Sequence, residues 1–121
     1  KARAREAAIA ANVPVLQGID RAVTLEEAQA FFAQHPSGII IKALAGGGGR
    51  GTRAVTTETE LPETFARCQS EAKAAFGIED VYVEVFLPKA KHIEVQIIGD
   101  EQGNVTHLGE RECSAQRAIR K

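Results

Sequence analysis

The segment IIIKALAGGGGRGTRAV, residues 39–55, contains the feature that most limits how this chain can fold. Five of the six residues from Gly46 to Gly51 are glycine, and they follow an apolar run that carries one charge, Lys42. Glycine adds no side-chain packing and loses much conformational freedom on folding, so the tract indicates that something approaches the backbone closely. With Lys42 upstream and Arg50 and Arg53 beside the tract, the expected guest is an anion.

Composition limits the possible partners of that loop. The 121 residues make one domain, or a piece of a longer chain, and both ends look cut. Fifteen basic and sixteen acidic side chains nearly cancel, so no overall field attracts nucleic acid or an anionic membrane. No apolar run reaches the roughly 18 residues of a membrane span, and there is no signal-peptide pattern. Cys68 and Cys113 lack metal-ligand spacing, which favours reduced thiols and predicts no metal site in this segment.

Apolar periodicity predicts helices and strands in the order of an α+β fold. Pro14 ends an alanine-rich first helix, and Thr24 begins the next helix with Glu27 as its capping-box partner. Gly77 ends a longer helix over residues 60–76. The predicted strands are VPVLQGI, IIIKAL, TRAVTT, VYVEVFL, HIEVQIIGD and VTHLGERECS, the last two joined by a turn at EQGN. This order predicts a sheet with one face covered by helices.

The glycine loop fits a flexible flap better than the two common phosphate-binding motifs. Gly46, Gly48 and Gly51 satisfy the dinucleotide pattern G-x-G-x-x-G, but that fold needs a helix after the loop, and here a strand follows. A P-loop needs Gly-Lys-Ser/Thr, and no lysine precedes Thr52. The remaining interpretation is a loop between two strands whose backbone N–H groups fold over phosphate oxygens.

Isolated polar residues on the predicted strands allow two interpretations each. Lys42 and Glu84 are the lone charges of two apolar strands, where they are either functional or edge-strand charges that discourage aggregation. On HIEVQIIGD, alternation puts His92, Glu94 and Gln96 on one face, toward either solvent or a cleft. The mixed charges of GERECSAQRAIRK are typical of a solvated face.

Five segments carry a family resemblance. IIKALAGGGGRGTRAV, EAKAAFG, VYVEVFL, HIEVQIIGD and GNVTHLGERECSAQR, in this order, resemble the biotin carboxylase component of biotin-dependent carboxylases, which are ATP-grasp enzymes. The resemblance covers nearly the whole chain. It implies an α+β fold: a connecting helix over residues 1–12, an ATP-grasp lid with a mixed or antiparallel sheet and two helices over 13–87, and the first strands of a truncated C-terminal ATP-grasp subdomain over 88–121.

The resemblance also implies site residues. Two lysines and the glycine loop would contact the ATP phosphates, the strand residues would hold adenine through their backbone, and a histidine and a glutamine would lie on the ribose side. In that order, the implied nucleotide-binding residues are Lys1, Lys42, Gly46, Gly47, Gly48, Gly49, Gly51, Glu84, Val85, Leu87, His92 and Gln116. The implied catalytic residue is Lys121, near bicarbonate. Ile119 stands where the family usually has a nucleotide-binding histidine.

The implied activity needs more chain than this segment. Biotin carboxylases use ATP and bicarbonate, through carboxyphosphate, to carboxylate biotin on a carrier protein. Magnesium ligands would lie outside the segment, so we expect it to be inactive alone. The implied partners are the rest of the biotin carboxylase chain, a biotin carrier domain and a carboxyltransferase acting on acyl-CoA or pyruvate, in the cytoplasm or, in a eukaryote, the mitochondrial matrix. The alternatives are the lid of another ATP-grasp ligase, such as carbamoyl-phosphate synthetase, and a non-catalytic anion-binding module.

Overall fold

A computed structural model describes residues 2–115, and these confirm the predicted α+β class with three α-helices and two antiparallel sheets. The helices are α1 (Ala2–Ala10), α2 (Leu25–Gln34) and α3 (Leu61–Phe76), the last preceded by a 3₁₀ turn at Glu58–Glu60. The strands are β1 (Gly18–Ile19), β2 (Ile39–Ala43), β3 (Thr52–Val55), β4 (Val81–Val85), β5 (Ile93–Gly99) and β6 (Val105–Glu112). The elements divide into two compact units, one ending at Phe86 and one starting at Leu87.

The first unit contains a four-stranded sheet in the order β1-β4-β2-β3, with every pair antiparallel. Strands β2 and β4 are central, with Ile41 opposite Val83. Alternate residues of these strands face α2 and α3, as a sheet of period two requires. The apolar core that results contains Val23, Ala28, Phe31, Phe32, Ile39, Ile41, Val55, Leu61, Phe65, Cys68, Val81 and Val83.

Both helices that cover the sheet begin or end where local chemistry predicts. The Thr24 hydroxyl accepts a hydrogen bond from the Glu27 N–H, and the Glu27 carboxylate accepts one from the Thr24 N–H, which confirms the predicted capping box. Helix α3 ends at Gly77, which has φ +75°. A residue with a side chain rarely adopts that left-handed conformation, so glycine there ends the helix.

The first helix and first strand are shorter than predicted. Helix α1 ends at Ala10, before Pro14, because Asn12 turns the chain with φ +56° and the Val13 N–H donates to Ala8 O at 2.8 Å. The predicted strand VPVLQGI is reduced to Gly18–Ile19. The approach to β4 there is close, since a Cβ on Gly18 would lie 2.7 Å from Val83 O.

The second unit contains the predicted hairpin of β5 and β6. Asp100 orders the turn, because its Oδ1 accepts from the N–H groups of Gln102 at 2.9 Å and Asn104 at 2.8 Å. A bulge shifts the register between Val95 and Ile97, near Gly109 with φ +90° on β6. Of the three helices within residues 2–115, none has both the length and the apolar character needed to cross a bilayer.

Replacing Phe65 with alanine tests the core. Phe65 is 4% exposed between α3 and the sheet, so we expect Phe65→Ala to lower the free energy of unfolding by about 3 to 5 kcal/mol. Urea unfolding of the 121-residue chain, followed by circular dichroism, measures this change. Leu108→Ala is the control, because Leu108 is 68% exposed. Equal losses for the two variants would contradict the described core.

Candidate functional site

Lys42 and Glu84 lie on the two central strands of the first unit. Strand β2 lies between β4 and β3, and β4 lies between β1 and β2, so the edge-strand interpretation of both residues is wrong. Lys42 is 9% exposed and Glu84 is 5% exposed. Burying single charges this deeply is costly unless each meets a partner of opposite sign.

The two residues are each other's partner. The Lys42 Nζ donates a hydrogen bond to the Glu84 carboxylate. Lys42 is opposite Tyr82 and Glu84 is opposite Ile40, so the pair is diagonal on the face of the sheet that points away from α2 and α3. Each charge stands out in the sequence, but the pattern of one strand does not show which residue it pairs with. Their opposite signs on apolar strands were the available signal.

A second cation, Arg5 of α1, also reaches Glu84. Its Nη1 lies 3.4 Å from Glu84 Oε1, its Nε donates to Asp20, and its Nη2 donates to Leu16 O at 2.6 Å. We call Arg5, Asp20, Lys42 and Glu84 the charged cluster. It contains two cations and two anions, so its formal charge is balanced without a ligand. Sequence reasoning did not identify Arg5, which sits on a helix with no distinguishing motif.

Two neutral polar residues adjoin the charged cluster on the same face. Burial, together with the nearby Glu84 carboxylate, raises the pKa of Tyr82 far above its usual range, so its phenol stays protonated. Thr52 is directly opposite Lys42 on β3. Its Oγ1 is buried and has no hydrogen-bond partner within the described residues. Such a hydroxyl is available to a ligand or to water.

Two different physical reasons account for the glycines of the loop between β2 and β3. A Cβ on Gly46 would lie 2.8 Å from the Phe76 ring, and one on Gly51 would lie 3.0 Å from Ala43 Cβ, so packing requires glycine at both. Around Gly47 and Gly48 the space is open. Gly48, Gly49 and Gly51 have φ values of +66°, +80° and +60°. The open backbone at Gly47 and Gly48 is therefore the part that a ligand can approach.

Arg53 does not join Lys42, although it lies beside the loop in sequence. It is opposite Ile41 on the helix-facing side, where its Nη2 lies 2.5 Å from Glu71 Oε1 of α3. The Arg53 guanidinium lowers the pKa of that carboxyl. A groove of about 410 Å³ runs there, with Arg67 and Glu63 also in its lining. The two arginines and two glutamates that line this groove balance each other in charge. The structure therefore gives no support to the prediction that Arg53 contributes to an anion site.

The remaining predicted residues are placed as follows. The Val85 N–H donates to Gln17 O at 2.9 Å, so this N–H is not available to a ligand. Leu87, half exposed, belongs to the second unit, as does His92, whose Nε2 lies 3.5 Å from Glu94 Oε2. Residues 2–115 contain no group of three or more His, Cys, Asp or Glu that could hold a metal. Four residues named above lie outside the described residues: Lys1, Gln116, Ile119 and Lys121.

Comparison with known proteins places this geometry in context. Residues 1–121 match the family model described as carbamoyl-phosphate synthase L chain, ATP binding domain. The chain is 54% identical to pyruvate carboxylase of Bacillus subtilis and 52% identical to human mitochondrial pyruvate carboxylase, in each case over all of its own length. It spans only 11% and 10% of those relatives, respectively.

Solved structures agree with the sequence relatives. The β,γ-ATP complex of biotin carboxylase from Campylobacter jejuni is 43% identical to this chain in sequence and superposes with a TM-score of 0.87. The match covers 96% of this chain and 26% of the Campylobacter chain. A second neighbour is the biotin carboxylase domain of Hydrogenobacter thermophilus 2-oxoglutarate carboxylase, in complex with MgADP, ADP and bicarbonate. It is 43% identical to this chain with a TM-score of 0.89, and the match covers 100% of this chain and 27% of that one. These neighbours confirm the predicted ATP-grasp fold.

The pairing within the charged cluster can be measured. We expect Lys42→Met to lower the free energy of unfolding of the 121-residue chain by about 3 kcal/mol, because Glu84 stays buried with Arg5 as its remaining cation. Adding Glu84→Gln should recover part of that loss, since no carboxylate is then left short of a partner. Lys73→Met, at a largely exposed ion pair, is the control and should change little. Simple addition of the two single losses would contradict the pairing.

Proposed function

The chain belongs to the family of carbamoyl-phosphate synthase L chain ATP-binding domains, as a biotin carboxylase ATP-grasp fragment, and from this we propose its part in a longer enzyme. That enzyme uses ATP and bicarbonate to carboxylate biotin on a carrier domain. We assign residues 13–87 to the ATP-covering lid, residues 1–12 to a connecting helix, and residues 88–121 to the start of the C-terminal ATP-grasp subdomain.

The observation that carries the proposal is a buried lysine beside open backbone. The ammonium of Lys42 lies on the face of the sheet that carries Glu84. In the loop that follows β2, a Cβ added to Gly47 or Gly48 would have no other atom within 4 Å. Among the described residues, the N–H groups of Gly47 and Gly48 donate no hydrogen bond to another backbone oxygen. An ammonium and such backbone N–H groups are both good donors to phosphate oxygens. The first unit therefore has what a phosphate-covering lid needs.

In the proposed reaction the terminal phosphoryl group of ATP passes to a bicarbonate oxygen and ADP leaves. The carboxyphosphate formed then breaks into phosphate and CO₂, and the CO₂ bonds to a ureido nitrogen of biotin whose N–H proton passes to the released phosphate. Lys42 and the N–H groups of the glycine loop would stabilise the negative charge on the phosphates, as hydrogen-bond donors do in a site that excludes water. Closure of the lid would also protect carboxyphosphate from hydrolysis.

The other predicted site residues keep their assigned parts in this proposal. Glu84, Val85 and Leu87 would hold adenine through their backbone, and His92 and Gln116 would lie by the ribose. Lys1 would assist on the phosphates and Lys121 on bicarbonate. We propose that the acidic magnesium ligands lie in the part of the enzyme beyond residue 121, so the segment alone is inactive.

The final acceptor follows from the relatives rather than from this segment. Both relatives named above are pyruvate carboxylases, so we propose pyruvate in preference to an acyl-CoA. A carboxyltransferase would make that choice. One relative is bacterial and one mitochondrial, so we propose cytoplasm or mitochondrial matrix as the compartment.

An assay of the full-length enzyme tests the function. We expect ADP formation that requires both bicarbonate and biotin, and carboxylated product with pyruvate but with neither acetyl-CoA nor 2-oxoglutarate. Lys42→Gln should lower kcat/KM for ATP by about 100-fold or more, because a charged phosphate ligand is lost. ADP formation that ignores biotin would assign the chain to another ATP-grasp ligase. Wild-type kinetics in Lys42→Gln would exclude Lys42 as a phosphate ligand.

A matched pair of glycine variants tests the loop. Gly48 and Gly103 both have positive φ and open space, so valine should strain the backbone about equally at the two positions. Only Gly48 lies on the loop that would cover phosphate. We therefore expect Gly48→Val to raise KM for ATP about tenfold, and Gly103→Val to leave it unchanged. The same KM in both variants, with similar melting temperatures, would argue against the flap.

A further inference from the structure

Glu84 is held by two cations that differ in how firmly they are anchored. Along the charged cluster the contacts run from Asp20 to Arg5, from Arg5 to Glu84, and from Glu84 to Lys42. Lys42 is the last member of this alternating chain, and its only ion-pair partner among the described residues is Glu84. Within the proposed function, on which this inference rests, we propose that Arg5 is a positioning residue that sets ATP affinity by releasing Lys42 from Glu84.

The argument starts from burial. The side chains of Glu84 and Lys42 are 6% and 11% exposed, so Glu84 cannot replace a lost cation with bulk water. If Lys42 turned toward a phosphate with no other cation nearby, a carboxylate would stay buried and unpaired. That state is strongly unfavourable. Glu84 would then retain Lys42 and compete with the nucleotide.

Arg5 removes this obstacle because it stays in place. Its guanidinium donates to Asp20 and to Leu16 O while its Nη1 faces Glu84. A planar group with five donors can hold three acceptors at once, and two of these contacts are independent of Glu84. Lys42, in contrast, places one compact ammonium at the end of a flexible four-carbon stem. The cation that can move is the one beside the glycine loop.

The consequence is an exchange of partners. When Lys42 turns from Glu84 to a phosphate, the Lys42–Glu84 pair is lost, but Arg5 still lies beside Glu84, so the buried carboxylate keeps one cation. Without Arg5 the same movement leaves Glu84 unpaired, so the nucleotide binds more weakly. The effect belongs mainly to nucleotide affinity, because Arg5 reaches the nucleotide only through Glu84 and Lys42. It should also vanish when Glu84 carries no charge.

The test uses the full-length enzyme with five variants: Arg5→Met, Arg5→Lys, Asp20→Asn, Glu84→Gln and the double variant Arg5→Met with Glu84→Gln. Dissociation constants for ADP and a non-hydrolysable ATP analogue are measured beside KM and kcat. We expect Arg5→Met to raise KM for ATP and the analogue's dissociation constant about tenfold, with a smaller change in kcat. Arg5→Lys should recover part of the affinity, since it keeps the charge.

The double variant is the decisive comparison. In the Glu84→Gln background, Arg5→Met should change nucleotide affinity less than twofold, because no buried carboxylate then competes for Lys42. Asp20→Asn removes the negative charge that shares Arg5 with Glu84 but keeps a side-chain oxygen that can accept from Arg5 Nε, so Arg5 stays in place and nucleotide binding should not weaken. If Arg5→Met folds poorly, Arg5→Lys and Asp20→Asn still give the comparison.

Three results would overturn the inference: unchanged affinity in a folded Arg5→Met variant, the same loss in both Glu84 backgrounds, or an equal loss in Asp20→Asn. Each would make Arg5 only an anchor for α1. Failure of the proposed function looks different, since it appears as wild-type ATP turnover without biotin dependence. The affinity measurements keep their meaning in that case.

Discussion

The ion pair between Lys42 and Glu84 is the constraint on which the sheet of the first unit depends. Both residues occupy central strands, where an unpaired charge is costly. Their diagonal contact requires the register that sets Lys42 opposite Tyr82. A slip of one residue between β2 and β4 would send one charge into the core against α2 and α3. The pair of the proposed phosphate site therefore also specifies how β2 and β4 align.

Alternation along β2 separates stability from ligand chemistry. Ile39 and Ile41 face the helices and contribute to the core, whereas Lys42 faces the charged cluster. The glycine loop starts immediately after this strand, so Lys42 and the open backbone at Gly47 and Gly48 are neighbours in the chain. The strand fixes where the stem of Lys42 begins, and the ammonium at its end lies beside a backbone that a ligand can approach.

Features set by local sequence could be predicted, and features set by packing could not. The Thr24 cap, the end of α3 at Gly77 and the β5–β6 hairpin follow from a few adjacent residues, and the structure confirms them. The order of the strands in the sheet does not follow from adjacent residues, so the sequence alone allows β2 and β4 to be edge strands. The contact between Arg5 and Glu84 joins residues 79 positions apart and leaves no local pattern.

The glycines of the loop are a second case in which packing cannot be predicted from the sequence. In the sequence Gly46 and Gly48 look alike, but the first is required by the Phe76 ring, and the second lies in open space with φ +66°. Only the folded position of α3 distinguishes them. Because the charged cluster is already balanced, a phosphate that binds Lys42 must replace Glu84 rather than fill an empty positive site. In the proposed function, affinity is then the difference between two pairings, which is smaller than either pairing alone.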